Sequence, residues 1–536
     1  MAIASARIRF VSMATVSRRH FLLAGSTVAA AGVLTACVGP APSPSVSPTA
    51  TPSPVASGPP QWAELTSAVQ GALVLPTDDA YESAKITENP RFDDAQPLAV
   101  LEVSSAADVA AALAFATKYA LPVALRAGGH SYEGWSAGGA SGTGVQPSLV
   151  ISTARLTEVT IAADGTTAQI GAGTSLIDAY STLGAAGRAI GGGSCATVGV
   201  AGLTLGGGMG VLMRSFGLAC DQLIHVEIVT ADGTVHQATA STDPDLFWAS
   251  QGGGGGNMGV VTGFTFQTRA APDVTTFYLE WPWSSAAQVV AAWQSWAPSA
   301  DNDLWSTLKL LGGGGSHPQG PGVSVSGTWI GEQGDDALAA QLEGLLSGVD
   351  AAPDTNQSFQ HSYVDAMMNE AGCSGLDIAQ CNTGPNGTLA RESSSGSSNI
   401  GYVALDASGI TDLVAQVEAA QQVPGLKEGG ISMDALGGAV STVAPDATAF
   451  VHRKALFSVQ YTGTFVDGTD PSPIDTYVRG FRSAMTAHWQ NWAYVNYSDA
   501  TIPDAPTAYY GDNLSRLTAL KKKFDPHSLF TQPQSP

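Results

Sequence analysis

Arg126-Ala-Gly-Gly-His-Ser-Tyr132 decides how this chain is read, and a second stretch, Gly191-Gly-Gly-Ser-Cys-Ala-Thr-Val-Gly199, is its complement. Each sets one reactive side chain, His130 or Cys195, among residues too small to block a ligand. Glycines let backbone N–H groups approach a phosphate and take the positive φ angles such loops need. A nucleophilic ring nitrogen and a thiol on two such loops point to a ligand held covalently as well as by contacts.

Outward from these loops, short elements alternate. A strand is expected at Leu98–Val103, then Ser105-x-x-Asp108 as a capping box before a helix over Val109–Tyr119. The apolar run Val123–Leu125 delivers the chain into the His130 loop. Strands at Leu149–Ile151 and Ala168–Gly171 follow, then a helix from Leu176 with Gly187 just past its end. Ile224–Val229 and Thr234–Gln237 flank Ala-Asp-Gly and predict a hairpin. No regular βαβ period emerges, so α+β fits better than a doubly wound sheet. Gly254-x-Gly256-x-x-Gly259 formally matches the dinucleotide fingerprint, which needs a strand before it and a helix after it. Here Asp245–Ser250 reads as a helix and Val260–Phe266 as the following strand, so the order is inverted.

With 536 residues the chain exceeds what one core usually supports, so two domains or a large insertion are expected. A net charge of −22 argues against nucleic acid as a partner, because phosphate binding needs clustered Lys and Arg. Only 13% of residues are charged, and neutral substrates suit such a chain better than anionic ones. Ser17-Arg-Arg-His-Phe-Leu-Leu23 places two arginines before an apolar run, Phe21 to Ala36, that is short for a bilayer span. The pair reads as a twin-arginine export signal. Leu34-Thr-Ala-Cys37 then resembles a bacterial lipobox, with Cys37 lipidated and the protein tethered to the membrane, the alternative being simple cleavage and release. Residues 38–60 form a Pro/Ser/Thr/Ala linker.

Cys373 and Cys381 sit in a Gly, Ser and Asn-rich region, where an exported protein is expected to hold a disulfide; a metal pair would lack further ligands nearby. Cys220 reads as a small buried hydrophobe. From about Ala271 the texture changes: Trp281, Trp283, Trp293, Trp296, Trp305 and Trp329 concentrate in one region, with helical patterns at Ala286–Trp296 and Asp335–Leu346. Each tryptophan singly reads as core, although together they are compatible with planar or sugar-ring contacts. Tyr509–Phe530 closes the chain at helical spacing, with Lys521-Lys-Lys523 expected as a solvated helix end.

Taken in order, Arg126-x-Gly-Gly-His130, Cys195-x-Thr-Val-Gly199, Phe247–Gly259, Ala449–Arg453, Asn496-Tyr497 and Asp525–Phe530 resemble the berberine bridge enzyme-like flavoprotein oxidases of the vanillyl-alcohol oxidase superfamily. The likeness runs from about Asp93 to Phe530. It implies an α+β fold: a two-subdomain FAD-binding domain of the PCMH type with an inserted α+β substrate domain, an antiparallel sheet covered by helices. The corresponding divisions are a signal with lipobox at 1–37, linker and lead-in at 38–75, FAD-binding domain at 76–270, substrate domain at 271–498 and a C-terminal return at 499–536. The resemblance implies bicovalent FAD, His130 bonded to the 8α-methyl carbon and Cys195 to C6, which fixes the ring and prevents loss of the cofactor outside the cell. In some relatives only the histidine link forms.

By the same resemblance Arg126, Ala127, Gly128, Gly129 and Ser131 line the pyrophosphate. Gly192, Ser194, Thr197, Val198, Gly199 and Gly202 line the flavin ring. Gly256, Asn257, Gly259 and Val261 close over its far side, with Tyr494 and Asn496 returning from the substrate domain. A valine at 198 resembles the oxygen-reactive members. The catalytic tyrosine of the family matches Tyr497, and Asp434 matches an acidic or tyrosyl position of the active site; the pair resembles the carbohydrate oxidases, where the aspartate assists deprotonation of a tyrosine whose ordinary pKa near 10 makes it a poor base alone. The residues without that resemblance read Asp434 as a turn residue and Tyr497 as a core aromatic. His452 and Arg453 are expected to be structural.

The implied activity is an exported, monomeric FAD-dependent oxidase that takes a hydroxyl, the anomeric C1 hydroxyl of a mono- or oligosaccharide, to a lactone while O2 becomes H2O2. Two alternatives stay open: a tailoring oxidase or alcohol dehydrogenase of secondary metabolism, and an anchored flavin- or sugar-binding protein without turnover.

Overall fold

The computed structural model describes residues 58–536 apart from Pro385. The twin-arginine segment, Cys37 and most of the linker lie outside the described residues. No described helix is long and apolar enough to cross a membrane.

The first sheet holds β1 (Ala72–Val74), β2 (Ala99–Glu102), β3 (Val123–Arg126) and β4 (Leu149–Ser152) in the order β1-β2-β4-β3. β4 runs parallel to both β2 and β3, and β1 adds antiparallel at the edge. Between β2 and β3 comes the helix Ala106–Tyr119, capped by Ser105 Oγ, which accepts from the Asp108 N–H at 3.2 Å. The Asp108 carboxylate does not return to Ser105 as a capping box requires. It accepts from the N–H groups of Gln70, Gly71 and Ser104, each at 2.9 Å, and so ties the lead-in to the helix.

A second sheet contains β5 (Val159–Ile161), β6 (Thr167–Gly171), β8 (Leu223–Val229), β9 (Val235–Ala238) and β10 (Val260–Gln267), ordered β5-β6-β10-β8-β9 and antiparallel throughout. β7 (Arg188–Ala189) pairs with β11 (Arg269–Ala270). The expected hairpin is β8–β9, and the helix Pro244–Ala249 does precede β10, the order that rules out a dinucleotide fingerprint. The helix Leu176–Ala185 ends just before Gly187, whose φ is +67°.

The third sheet has seven antiparallel strands: β12 (Val274–Trp281), β13 (Leu304–Gly312), β14 (Gly322–Trp329), β15 (Thr355–His361), β16 (Ser393–Gly401), β17 (Leu426–Ala435) and β18 (Phe457–Phe465), in the order β15-β12-β14-β13-β17-β18-β16. Alternation decides its two faces. Leu308, Leu310, Val323, Val325, Ile431, Met433, Val459 and Tyr461 enter a core with the helices Ala286–Trp296, Asp335–Leu346, Ala407–Ala419 and Ser472–Trp489. Their neighbours Thr307, Lys309, Ser326, Ser432, Asp434 and Gln460 point the other way, into a cavity. The expected α+β architecture, an antiparallel sheet covered by helices beside an FAD-type domain, is the one observed.

Trp281, Trp293, Trp305 and Trp329 are buried, and Trp305 alone of the six tryptophans lines that cavity. The Cys373–Cys381 disulfide is formed, and Cys220 is fully buried. The lysine run corrects one expectation. Lys521 is not solvated: its Nζ donates to Asn257 O (2.9 Å) and Phe530 O (2.7 Å) and pairs with Asp525 (2.8 Å), fastening the final turn of the chain to the glycine-rich segment before β10. Beyond it Gln532 Nε2 donates to Gly255 O at 2.8 Å and Ser535 Oγ to Asn257 Oδ1 at 3.0 Å, so residues after Phe530 return to the same wall.

Candidate active site

The site is a cavity of about 580 Å3. Two loops build its inner wall, one leaving β3 with His130 and one carrying Cys195 into the short helix Val200–Leu205. They touch through glycine: a Cβ on Gly128 would stand 2.3 Å from the Gly199 nitrogen, and one on Gly199 2.4 Å from the Gly128 nitrogen. Only paired glycines allow this approach, and it brings the imidazole and the thiol, 65 positions apart in sequence, to one space.

A large ligand with phosphates and a flat ring fits what lies there. The N–H groups of Gly128 to Tyr132 meet no acceptor among the described residues, and all five residues line the cavity, so the loop has unpaired donors to offer a phosphate. Gly202 and Gly255 leave a slot: a Cβ on Gly202 would touch nothing within 4 Å, and one on Gly255 only the Gly202 Cα at 3.9 Å. Trp135 Nε1 and Ser136 Oγ are buried at the same wall with no protein partner. Buried polar groups rarely stay unpaired unless a ligand or water serves them.

His130 is neutral. Burial pushes its pKa down to about 4, against a smaller upward pull from Thr197. Nε2 lies 2.9 Å from Thr197 Oγ1 and 3.7 Å from a Glu88 carboxylate oxygen, and Nδ1 has no partner among the described residues. The Cys195 thiol is exposed to the cavity. Burial by the surrounding wall and the Glu88 charge hold its pKa up, with Ser194 and Lys309 opposing, so the thiol form is favoured.

Ala127, Gly128, Gly129, Ser131, Ser194, Val198, Gly199, Gly202, Gly256, Asn257, Gly259, Val261 and Asn496 all line the cavity, as expected. Four residues depart from expectation. Arg126 contributes backbone to the wall, but its guanidinium turns away and donates to the carbonyls of Ala84, Lys85 and Ile86; it closes the end of the helix Tyr81–Lys85 and leaves the phosphate cradle to backbone amides. Gly192 lies behind the wall, against the Tyr180 hydroxyl. Thr197 also stands back and orients His130. Tyr494 is buried, and its hydroxyl accepts from Gly208 N–H (3.0 Å) and Asn496 Nδ2 (2.9 Å), setting the Gly206–Gly208 turn and not a ligand.

The outer wall carries the two residues expected to react, Tyr497 and Asp434. Tyr497, at the end of a short 3-10 turn, stacks on Tyr132 with ring centroids 5.3 Å apart and planes at 15°. The Tyr132 hydroxyl is in turn held by Gln460. Asp434 lies within β17, not in a turn, paired in register with Thr307 of β13. Burial raises the Asp434 pKa, and Thr307 and Lys309 oppose that rise. Burial also holds the Tyr497 phenol well above 10, reinforced by Tyr132 and by the Asp434 charge. No direct hydrogen bond joins Tyr497 to Asp434; both face the same part of the cavity. Glu370, ending the helix Tyr363–Glu370, joins them, its pKa pushed up to about 7 by burial.

His452 and Arg453 are buried away from the cavity, as expected. Sequence reasoning missed Thr307, Lys309, Ser326, Glu370, Ser432 and Gln460. The signal for five of them was alternation, since Trp305-Ser-Thr-Leu-Lys309, Val323-Ser-Val-Ser326, Ile431-Ser-Met-Asp434 and Val459-Gln-Tyr461 each carry polar residues on one face of a strand. Glu370 had no such signal.

Residues 97–239 match the family model described as FAD binding domain, and residues 493–535 the one described as Berberine and berberine like. An uncharacterized FAD-linked oxidoreductase of Bacillus subtilis, YgaK, is 30% identical over 469 residues, 87% of this chain and 96% of that protein. A chitooligosaccharide oxidase of Gibberella zeae is 29% identical, covering 82% of this chain and 87% of its own. Among solved structures, Physcomitrella patens BBE-like 1 superimposes with a TM-score of 0.79 at 28% identity, over 88% of this chain and 98% of that one.

Proposed function

Because the chain belongs to the berberine bridge enzyme-like FAD-linked oxidoreductases, we propose that it is an oxidase of carbohydrate hydroxyls, taking the anomeric C1 hydroxyl of a mono- or oligosaccharide to a lactone and reducing O2 to H2O2. One observation carries the substrate class. The cavity wall opposite the glycine loops is the polar face of a sheet, where Thr307, Ser326, Ser432, Asp434, Lys309 and Gln460 offer hydroxyl, carboxylate, ammonium and amide groups to a polyol. A flat apolar substrate would leave these groups unpaired at a cost of about 1–3 kcal/mol each. The likeness to a chitooligosaccharide oxidase supports the same reading.

Bound FAD supplies the two-electron acceptor. The residues do the rest. The amides of Gly128 to Tyr132 hold the pyrophosphate, and the Gly202–Gly255 slot admits the ring system. His130, neutral and with Nδ1 free, is the first covalent attachment point, and Cys195 the second; its raised pKa makes the thiol the slower partner. Tyr497 receives the hydrogen bond of the substrate hydroxyl. Tyr497 Oη takes the hydroxyl proton, and the Asp434 carboxylate, whose pKa burial raises, is the acceptor for the phenolic proton once a water or substrate hydroxyl bridges the two side chains, which no direct hydrogen bond joins. Val198 lines the cavity and leaves O2 access open, as in the oxygen-reactive members it resembles.

The protein reaches its place of action by the twin-arginine route and stays on the cell surface through a lipid at Cys37, acting as a monomer with no nucleic-acid partner; the Ser17–Leu23 and Leu34–Cys37 motifs support this. A peroxide-release panel across mono- and oligosaccharides and non-sugar alcohols tests the activity, and turnover confined to non-sugar alcohols would refute it. Acid precipitation tests the attachment. His130→Ala and Cys195→Ala each leave a yellow pellet and only the double variant a colourless one; complete loss of covalent flavin in either single variant would contradict two-point linkage.

A further inference from the structure

Glu88 stands behind His130, outside the residues that line the cavity, and the chemistry proposed above does not use it. Its backbone N–H donates to the Gly129 carbonyl at 3.2 Å, directly before the histidine. Residues 383–391 fix it from the other side. Thr383 Oγ1 donates to Glu88 Oε2 at 3.3 Å, and Arg391 Nε donates to the Thr87 carbonyl at 2.9 Å. The rest of the Arg391 guanidinium is committed to Asp93, which Nη1 and Nη2 both reach. Among the described residues the Glu88 carboxylate is left with one hydrogen bond and one chargeable neighbour, the His130 ring, whose Nε2 lies 3.7 Å from Oε2.

Which nitrogen of a neutral imidazole carries the proton is set by what faces the other nitrogen. Nε2 of His130 faces oxygens, Thr197 Oγ1 at 2.9 Å and the Glu88 carboxylate, which accepts and cannot donate when ionised. The proton therefore belongs on Nε2, and the lone pair on Nδ1, which has no partner among the described residues. A lone pair there is what a bond to carbon requires. As that bond forms, the ring gains a positive charge that departure of the Nε2 proton removes. Burial opposes such a charge, which is why the His130 pKa lies down at about 4, and a carboxylate beside Nε2 counters the opposition. Burial also raises the Glu88 pKa, while Thr383 and Arg391 oppose that rise and favour the ionised form. The same negative charge acts in the opposite sense on the second link. It helps to hold the Cys195 pKa up and so lowers the fraction of thiolate, the form that attacks.

Resting on the covalent-flavin reading, we infer that Glu88 is a positioning residue for cofactor attachment: its carboxylate holds the His130 proton on Nε2 and receives it as Nδ1 bonds to the 8α-methyl carbon. One N–C bond forms, and one C–H bond of the methyl and the Nε2–H bond break. Two protons and two electrons are released, the electrons through the flavin ring, and the O2 that the proposed oxidase already uses takes them up as H2O2. The Glu88 side chain is 24% exposed, so the proton it receives passes on to solvent. Glu88 thereby favours the histidine link and delays the cysteine link.

The test follows each link alone in the full-length chain. Protein from riboflavin-limited cells is given FAD in air, portions are precipitated with acid, and covalent flavin in the pellet is read against time. Cys195→Ala reports the histidine link and His130→Ala the cysteine link, each with Glu88 intact, as Glu88→Gln and as Glu88→Asp. Glu88→Gln slows the histidine link about 10- to 100-fold and quickens the cysteine link roughly two- to fivefold. Glu88→Asp recovers part of the first change, and the FAD bound before precipitation is the same with and without either substitution. Opposite signs separate charge from structure, because a disturbed loop slows both links. Slowing confined to the histidine link and partly restored by Glu88→Asp also supports the role. An unchanged histidine link, or equal slowing of both links, overturns it. A histidine link that depends on Glu88, with no cysteine link at all, keeps the role and overturns two-point attachment. FAD bound with Glu88 intact but never covalent overturns both. Thr383→Val, which removes the one hydrogen bond that aims the carboxylate, is the second variant should Glu88→Gln not fold. It slows the histidine link about three- to tenfold, and an unchanged rate overturns the role.

Discussion

Asp221→Asn should cost about 3–5 kcal/mol, the range for uncovering one partner of a buried ion pair. The Arg453 side chain is completely buried, and Asp221 accepts from its Nη1 and Nη2 at 2.7 and 2.6 Å. Burial pulls the guanidinium pKa down, and the carboxylate more than restores it. Asparagine keeps the volume but replaces one acceptor oxygen by a donor facing a donor, and arginine does not discharge in response. The remaining partners of Arg453, Thr448 Oγ1 at 2.7 Å and Phe450 O at 3.3 Å, are neutral. The consequence reaches the site, because the segment so held carries Phe450, which packs on Gly252 and Gly207. Urea unfolding followed by tryptophan fluorescence measures the loss, with flavin content determined in parallel. The double variant Asp221→Asn/Arg453→Met removes the stranded charge and should recover part of the stability. A loss below about 1 kcal/mol in the single variant, or a double variant less stable than the single one, would refute the reasoning.

Tyr497→Phe should lower the rate of flavin reduction about 10²- to 10⁴-fold with KM changed far less, measured by stopped-flow under anaerobic conditions; equal losses in kcat and binding would count against a proton-accepting role. Gly202→Val should fold with an unchanged circular dichroism spectrum and lose most of its flavin, because the added carbons enter the open slot, and full flavin content would show that the slot holds nothing. Acid should destabilise the protein through His452, which burial holds down to about 4. The unfolded chain takes up this proton near pH 6.5 and the folded one only near 4, so stability is lost as pH falls through that window, by up to roughly 3 kcal/mol, and is unaffected above it. His452→Gln should flatten the slope of urea midpoint against pH between 6.5 and 4, and an unaltered slope would exclude His452 as its source.

Local signals carried much of the fold. The helices Ala286–Trp296 and Asp335–Leu346 stand at their expected bounds, since apolar spacing at 3.6 residues has no competing interpretation over that length. Side-chain direction was less legible. Arg126 belongs to the glycine motif in sequence, yet its long side chain reaches past the loop to carbonyls more than forty residues earlier. Lys521 sits in a basic run that looks solvated until the returning tail supplies a carbonyl and a carboxylate and the distant glycine-rich segment a second carbonyl, that of Asn257. Asp434 was found through resemblance, while Thr307, its partner in register, was not, because strand pairing joins residues 127 positions apart that no local pattern connects.

Within β13, β14, β17 and β18 the odd and even positions serve separate masters: one set is packed among helices, the other lines the cavity. A mutational library confined to positions 307, 309, 326, 432 and 460 would therefore explore new specificities while leaving the folding core untouched. Randomising their immediate neighbours would mostly yield insoluble protein. The pleat of the sheet makes this enzyme evolvable, because the chemistry can drift by single steps without each step having to renegotiate stability.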